Sequence, residues 1–348
     1  MSYVAYFKTD VSAESNRPIM FLYNGGPGSS TLWLHMGSFG PRRVVIDSTD
    51  HQDPAPYTLV NNDHSLLDTS DLVFIDMPGT GYGRIANGKE TSYWGVDADA
   101  QAFGQFIERF LTTYDRWNSP KFLFGESYGT TRSALLSKVL QDLNIDVNGI
   151  VLLSQMLTYE HFGLVDNATR DPGNNKPYQL ALPTFAATAY YHHKLPVQPK
   201  DRDAFLKEVE HFALTDYSAA LNMGSRIDDA TFNQIAEQLH QYTGLPVAFI
   251  KKANLRVDGS EFRQQLLNDQ GDIIGRYDTR FVSPASSPLD RRAGYDPQSQ
   301  AMSAPYVALL NTYLKNELKS TANWKFIPGL SLCQEVGNSN TKALMGSM

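Results

Sequence analysis

The 348-residue chain carries 42% apolar residues, one cysteine and a formal net charge of −7. That length suits one large α/β domain with an insertion, or two domains, and the apolar content is ordinary for a soluble globular protein. The acidic balance, with no basic run interleaved with aromatics, argues against nucleic-acid binding, and no stretch approaches the length of a membrane span.

Residues 3–7 read as a short strand and residues 19–23 as a stronger one. A third strand is expected over 72–76. Residues 96–114 form a helix with Ala100, Phe103, Phe106, Ile107 and Phe110 on one face. Residues 122–124 are a continuous apolar run, as a buried parallel strand should be. Leu135, Leu136, Val139, Leu140 and Leu143 then recur at helical spacing over 133–143, and residues 150–153 give a fifth strand. Strands alternating with helices predict an α/β fold with a doubly wound, mostly parallel sheet.

After Gln155 the rhythm changes. Helices are expected over 203–212, 229–242 and 259–270. Gly271 and Gly275 flank Asp272-Ile273-Ile274, and residues 276–282 follow as an extended piece. Residues 284–299 read as a surface loop, and 302–318 as an amphipathic helix. The expected organisation is a core over 1–155, a largely helical cap insertion over 156–283, a partial return to the core over 284–332 and a dissimilar tail over 333–348.

The chemistry concentrates at Gly125-Glu126-Ser127-Tyr128-Gly129, between the fourth strand and its helix. This is the pattern of a nucleophile elbow, a strained turn that projects a serine above a parallel sheet. The glycines suit a turn that packs backbone on backbone. Such a serine needs donors for a developing oxyanion. One is the N–H of the next residue, Tyr128. The other comes from the loop after an early strand, here Asn24-Gly25-Gly26-Pro27-Gly28-Ser29-Ser30. A phosphate-binding loop would have a lysine after its glycines, and none is present. Two such loops at the C-terminal ends of parallel strands belong in the crevice where these sheets bind ligands.

With these segments in view, the chain resembles the serine carboxypeptidases, specifically their bacterial members. The resemblance is carried by the Asn24 loop, Gly40-Pro41, Asp76-Met77-Pro78-Gly79-Thr80-Gly81-Tyr82, the Ser127 turn, and residues 182–189. It implies an α/β-hydrolase fold with no metal or organic cofactor. It also implies that Ser127 is the nucleophile, that Gly26 and Tyr128 donate backbone N–H groups to the oxyanion, and that Asn24 and Glu126 bind the free carboxylate of a peptide C-terminus. A substrate carboxylate beside Glu126 requires a proton on one of the two, so binding should tighten in acid.

Elbow enzymes order the triad as Ser, then Asp or Glu, then His. The last of the eight histidines is His240. The triad Asp and His are therefore unassigned and expected to be absent. Asp76 matches a structural motif of the family, and His161, His192, His193 and His211 fall in the insertion. The expectation is a truncated or misread copy of the enzyme, without the last strands of its sheet and with residues 150–153 as an open apolar edge. Alternatives are a non-catalytic binder of peptide C-termini, and an esterase or acyltransferase on the same scaffold.

Residues 1–7 lack a basic region followed by a long apolar one, so no signal peptide is expected: either the protein stays in the cytoplasm, or its start lies upstream, which would fit the periplasmic or secreted location implied by the resemblance. Cys333 alone permits no intrachain disulfide and no thiolate metal cluster. Asn167-Ala168-Thr169 has the form of a glycosylation acceptor, a triplet that also arises by chance.

Overall fold

A computed structural model of the chain describes residues 1–9, 17–46, 48–49, 52–85, 90–158, 173–321 and 325–329. His51, His161, the triplet at Asn167, Cys333 and the tail lie outside the described residues. The strands are β1 (Ser2–Tyr6), β2 (Ile19–Tyr23), β3 (Arg42–Val44), β4 (Leu59–Asn61), β5 (Asp71–Asp76), β6 (Lys121–Glu126), β7 (Gly149–Leu153), β8 (Asp272–Ile274) and β9 (Val282–Pro284). The helices are α1 (Leu32–Leu34), α2 (Val96–Thr113), α3 (Tyr128–Asp142), α4 (Lys176–Tyr191), α5 (Arg202–Leu214), α6 (Asp216–Met223), α7 (Asp229–Thr243), α8 (Val247–Lys252), α9 (Gly259–Gln265) and α10 (Pro297–Asn316).

Two units partition the chain. The first comprises Met1–Val45, Pro54–Leu157 and Ala304–Met348, the second Ile46–Asp53 and Thr158–Ser303. In the first, five strands form a sheet in the order β1-β5-β2-β6-β7. β5, β2, β6 and β7 run parallel, while β1 pairs antiparallel with β5. The three inner strands are almost wholly buried, which explains their unbroken apolar runs. On α2, Ala100, Phe103, Ile107 and Phe110 face this sheet at helical spacing, and α3 adds Leu136 and Leu140 to the same core. β7 lies at the sheet edge, and Ile150, Val151, Leu152 and Leu153 are 37–40% exposed. β3 and β4 make a separate short hairpin.

The second unit packs α4 to α9 around Ala186, Ala189, Val209, Ala236 and Leu245, with Phe185 and Phe262 stacked at 4.1 Å. α4 is not evident from the sequence because Pro183 interrupts its pattern; its neighbours Leu182, Phe185 and Ala186 are buried all the same. Two local readings change. Residues 276–282 are not one extended piece: only Val282–Pro284 is strand, and it pairs with β8. The loop expected over 284–299 ends early, since α10 begins at Pro297. Asp296 accepts a hydrogen bond from the Ser299 backbone N–H at 3.1 Å, and proline suits the first helical position.

The first unit resumes at Ala304, whereas the sequence reading places the return at residue 284. The intervening residues bond back within the second unit: Arg292 pairs with Asp258, and the Ala293 N–H donates to the Ser260 carbonyl. Among the described residues, no helix is long and apolar enough to cross a membrane.

Candidate active site

At the end of β6 the chain turns at Ser127, whose φ of 57° and ψ of −125° are unusual for a residue with a Cβ. The flanking ladder forces this conformation. The Ser127 N–H is held by the Leu153 carbonyl at 2.9 Å, while the Ser127 carbonyl accepts from the Thr130 N–H at 2.9 Å as α3 starts. Such strain costs about 1–3 kcal/mol and persists where the surroundings over-determine it. Ser127→Gly is therefore expected to raise stability by about 1 kcal/mol, read as a higher urea midpoint with an unchanged m-value. A lower midpoint would show that the serine side chain makes a net contribution.

Register explains how the second loop reaches this turn. Tyr23 of β2 lies opposite Gly125 of β6 in a parallel pair. Asn24 and Glu126 therefore leave adjacent strand ends side by side. Asn24 Nδ2 donates to Glu126 Oε2 at 2.9 Å, and the Gly25 N–H reaches the same oxygen at 3.4 Å. The Leu34 N–H donates to Asn24 Oδ1 at 3.2 Å, which fixes the amide from its other end. Asn24 is buried, whereas Glu126 and Ser127 remain half-buried and Gly26 exposed. Gly25 is obligatory: a Cβ there would stand 2.4 Å from the Tyr128 nitrogen.

The loop is tied down further along. The Ser30 N–H and hydroxyl both donate to the Pro328 carbonyl, at 3.0 and 2.8 Å. Ile327 exchanges backbone hydrogen bonds with Gly81. Residues 327–328 thereby join the Asn24 loop to the Asp76–Tyr82 segment. Asp76 itself accepts from the Thr31 N–H and the Ser2 hydroxyl, both at 2.8 Å. Burial raises its carboxyl above the usual range, and those hydrogen bonds work against the rise.

Six histidines fall within the described residues. His35 Nε2 lies 2.6 Å from the Tyr6 hydroxyl, and its ring stacks on Phe74 at 4.5 Å. His192 Nε2 meets the Thr279 carbonyl at 2.7 Å, and His240 Nδ1 the Leu245 carbonyl at 2.8 Å. Among the described residues, no histidine or carboxylate hydrogen-bonds the Ser127 hydroxyl. No group of His, Cys, Asp or Glu among them could hold a metal ion.

One pair escapes the sequence reading. Arg132 of α3 and Asp99 of α2 form an ion pair at 2.7 Å with 0% and 3% side-chain exposure. Arg132 Nη1 also donates to the Asn24 carbonyl at 2.9 Å. A signal exists in the sequence: Asp99 sits on the apolar face of α2 between Val96 and Phe103, where a charge needs a buried partner.

A parallel sheet with flanking helices and a strand–serine–helix turn at its C-terminal edge define an α/β-hydrolase. Residues 3–161 match the family model described as serine carboxypeptidase. The chain is 26% identical over 142 residues to "Serine carboxypeptidase-like 33" of Arabidopsis thaliana, covering 40% of this chain and 28% of that protein. It is 30% identical over 141 residues to "Pheromone-processing carboxypeptidase KEX1" of Uncinocarpus reesii, covering 40% and 20%. The matched stretch thus spans well under a third of either relative's length. Among solved structures, the peroxisomal alpha-beta-hydrolase Lpx1 of Saccharomyces cerevisiae aligns with 52% of this chain and 43% of its own at 14% identity. The TM-score of that alignment is 0.29.

Proposed function

We propose that the first unit carries the acyl-transfer and C-terminus-recognition groups of a serine carboxypeptidase. The observation that carries this reading is the 2.9 Å contact between Asn24 Nδ2 and Glu126 Oε2, immediately beside Ser127. In this reading Ser127 is the nucleophile of an elbow and attacks the scissile carbonyl of a peptide's last bond. The Gly26 and Tyr128 N–H groups receive the oxyanion, and collapse releases the C-terminal amino acid and leaves an acyl-Ser127 ester for water to hydrolyse. Asn24 donates to the terminal carboxylate, and Glu126 shares a proton with it. Binding takes up that proton, so affinity rises as pH falls.

The Ser127 proton needs an acceptor. Among the described residues no histidine or carboxylate hydrogen-bonds the Ser127 hydroxyl, which leaves a second reading, a binder of peptide C-termini with little turnover. In a measured serine protease, loss of the catalytic histidine lowers turnover roughly 10⁶-fold. A fluorophosphonate separates the two: rapid labelling at Ser127 supports the hydrolase, and negligible labelling supports the binder.

The shared core of both readings is tested by calorimetric titration with a short peptide as the free acid and as the C-terminal amide. Charge-assisted hydrogen bonds contribute about 1.5–3 kcal/mol, so the free acid is expected to bind roughly 10–100-fold more tightly at pH 5.5. The preference should narrow at pH 7.5. Equal affinity for acid and amide at both pH values would remove the clamp and with it this function.

A further inference from the structure

We propose that Arg132, held by Asp99, is a positioning residue that fixes the Asn24 loop against the Ser127 turn and so sets the spacing of the carboxylate clamp; this rests on the functional reading above. One guanidinium touches both halves of the site. Its Nη1 donates to the Asn24 carbonyl at 2.9 Å, across 108 residues of sequence. Its Cζ lies 5.3 Å from the ring centre of Tyr128, the residue after the nucleophile, and 4.3 Å from that of Phe103. Nε is taken by Asp99 at 2.7 Å. Asn24 is thereby gripped at both ends: Arg132 fixes its carbonyl, and Glu126 and Leu34 fix its side-chain amide.

Stability alone does not account for the pair. Burying two charges costs several kcal/mol per ion before their attraction offsets it, and apolar residues of similar volume often do as well or better. Here Arg132 Nη2 and Asp99 Oδ1 are also buried without a hydrogen-bond partner, which adds the desolvation cost of two unpaired polar atoms. An apolar pair would join α2 to α3 without that cost. It could not satisfy the Asn24 carbonyl or hold the direction of Asn24 Nδ2.

Hydrogen exchange and peptide titration on the full chain test the assignment, with Arg132→Met and Arg132→Lys compared with the wild type. Arg132→Met is expected to speed amide exchange across residues 24–28 by at least about tenfold while β2, α2 and the C-terminal half of α3 keep their protection. The preference for free acid over amide should shrink in the same variant, and Arg132→Lys should restore part of both. Unchanged exchange at 24–28, or a uniform rise throughout the first unit, overturns the proposal. If the wild type shows no free-acid preference, the functional reading fails while the exchange result still decides whether Arg132 positions the loop. Should Arg132→Met not fold, Arg132→Lys supplies the same exchange comparison.

Discussion

Gly125→Ala is expected to destabilise the first unit by more than about 4 kcal/mol, or to prevent its folding. A Cβ at residue 125 would stand 2.2 Å from the Gly129 carbonyl oxygen and 2.5 Å from its carbon. Ordinary overpacking costs about 1–3 kcal/mol because side chains move aside. Here the obstacle is backbone at the start of α3, whose Gly129 carbonyl also accepts from the Ser133 hydroxyl at 2.9 Å. The clash can be relieved only by shifting α3 away from β6, which moves Ser127 and Tyr128 with it. Gly95→Ser is the control: nothing lies within 4 Å of a Cβ there, and serine suits the position that caps α2. Its denaturation midpoint should match the wild type. A Gly125→Ala chain with a near-native midpoint would refute the close approach at the turn.

Acid should weaken the first unit through His35. Burial pushes this ring down to about 3 from its ordinary 6.5. The unfolded chain therefore takes up a proton between pH 6.5 and 3 that the folded chain refuses, and stability rises with pH across that window. The contribution is complete above pH 6.5. On the order of 2–3 kcal/mol should be lost by pH 4.5, and 4–5 kcal/mol at the limit below pH 3.

The groups around His35 are the Tyr6 hydroxyl and the rings of Phe74 and Tyr313, with no carboxylate among its ring and hydrogen-bond contacts to stabilise an imidazolium. Asp76 acts in the opposite sense, since its raised carboxyl favours the folded state in acid. It is common to the wild type and His35→Gln, so the difference between their urea midpoints at pH 7 and 4.5 isolates His35. Parallel pH dependence in the two chains would show that His35 is not the acid-sensitive group. Tightening of the proposed clamp in acid and weakening of the fold through His35 oppose each other, which bounds the range for testing peptide binding at about pH 5–6.

Elements with strong local signals were legible. β2, β5 and β6 are apolar runs bounded by turns, and α2 has an apolar stripe over Ala100, Phe103, Ile107 and Phe110. α4 and the first turn of α10 were not. Pro183 breaks the pattern of one, and the start of the other was masked by loop-like composition, although Asp296-Pro297 is itself a helix start. At the site, Ser127, Tyr128 and the loop over 24–30 stood out because two glycine-rich loops each follow a strand, whereas the roles of Gly26, Asn24 and Glu126 came from the family resemblance alone. Arg132 did not, since a lone arginine on a helix says nothing of its burial until α2 is packed against it.

The sequence by itself determined the five strands of the main sheet, where the chain must turn on glycine, and the likeness of residues 3–161 to the serine carboxypeptidase family model. These follow from short-range sterics and periodicity. Only the tertiary structure decided that Tyr23 pairs with Gly125, which sets Asn24 beside Glu126. It also decided that residues 327–328 brace two loops, and that Asp99 and Arg132 meet inside the core. Those contacts join positions far apart in the chain, and their register is chosen by the packing of the whole sheet with its helices rather than by any local run of residues.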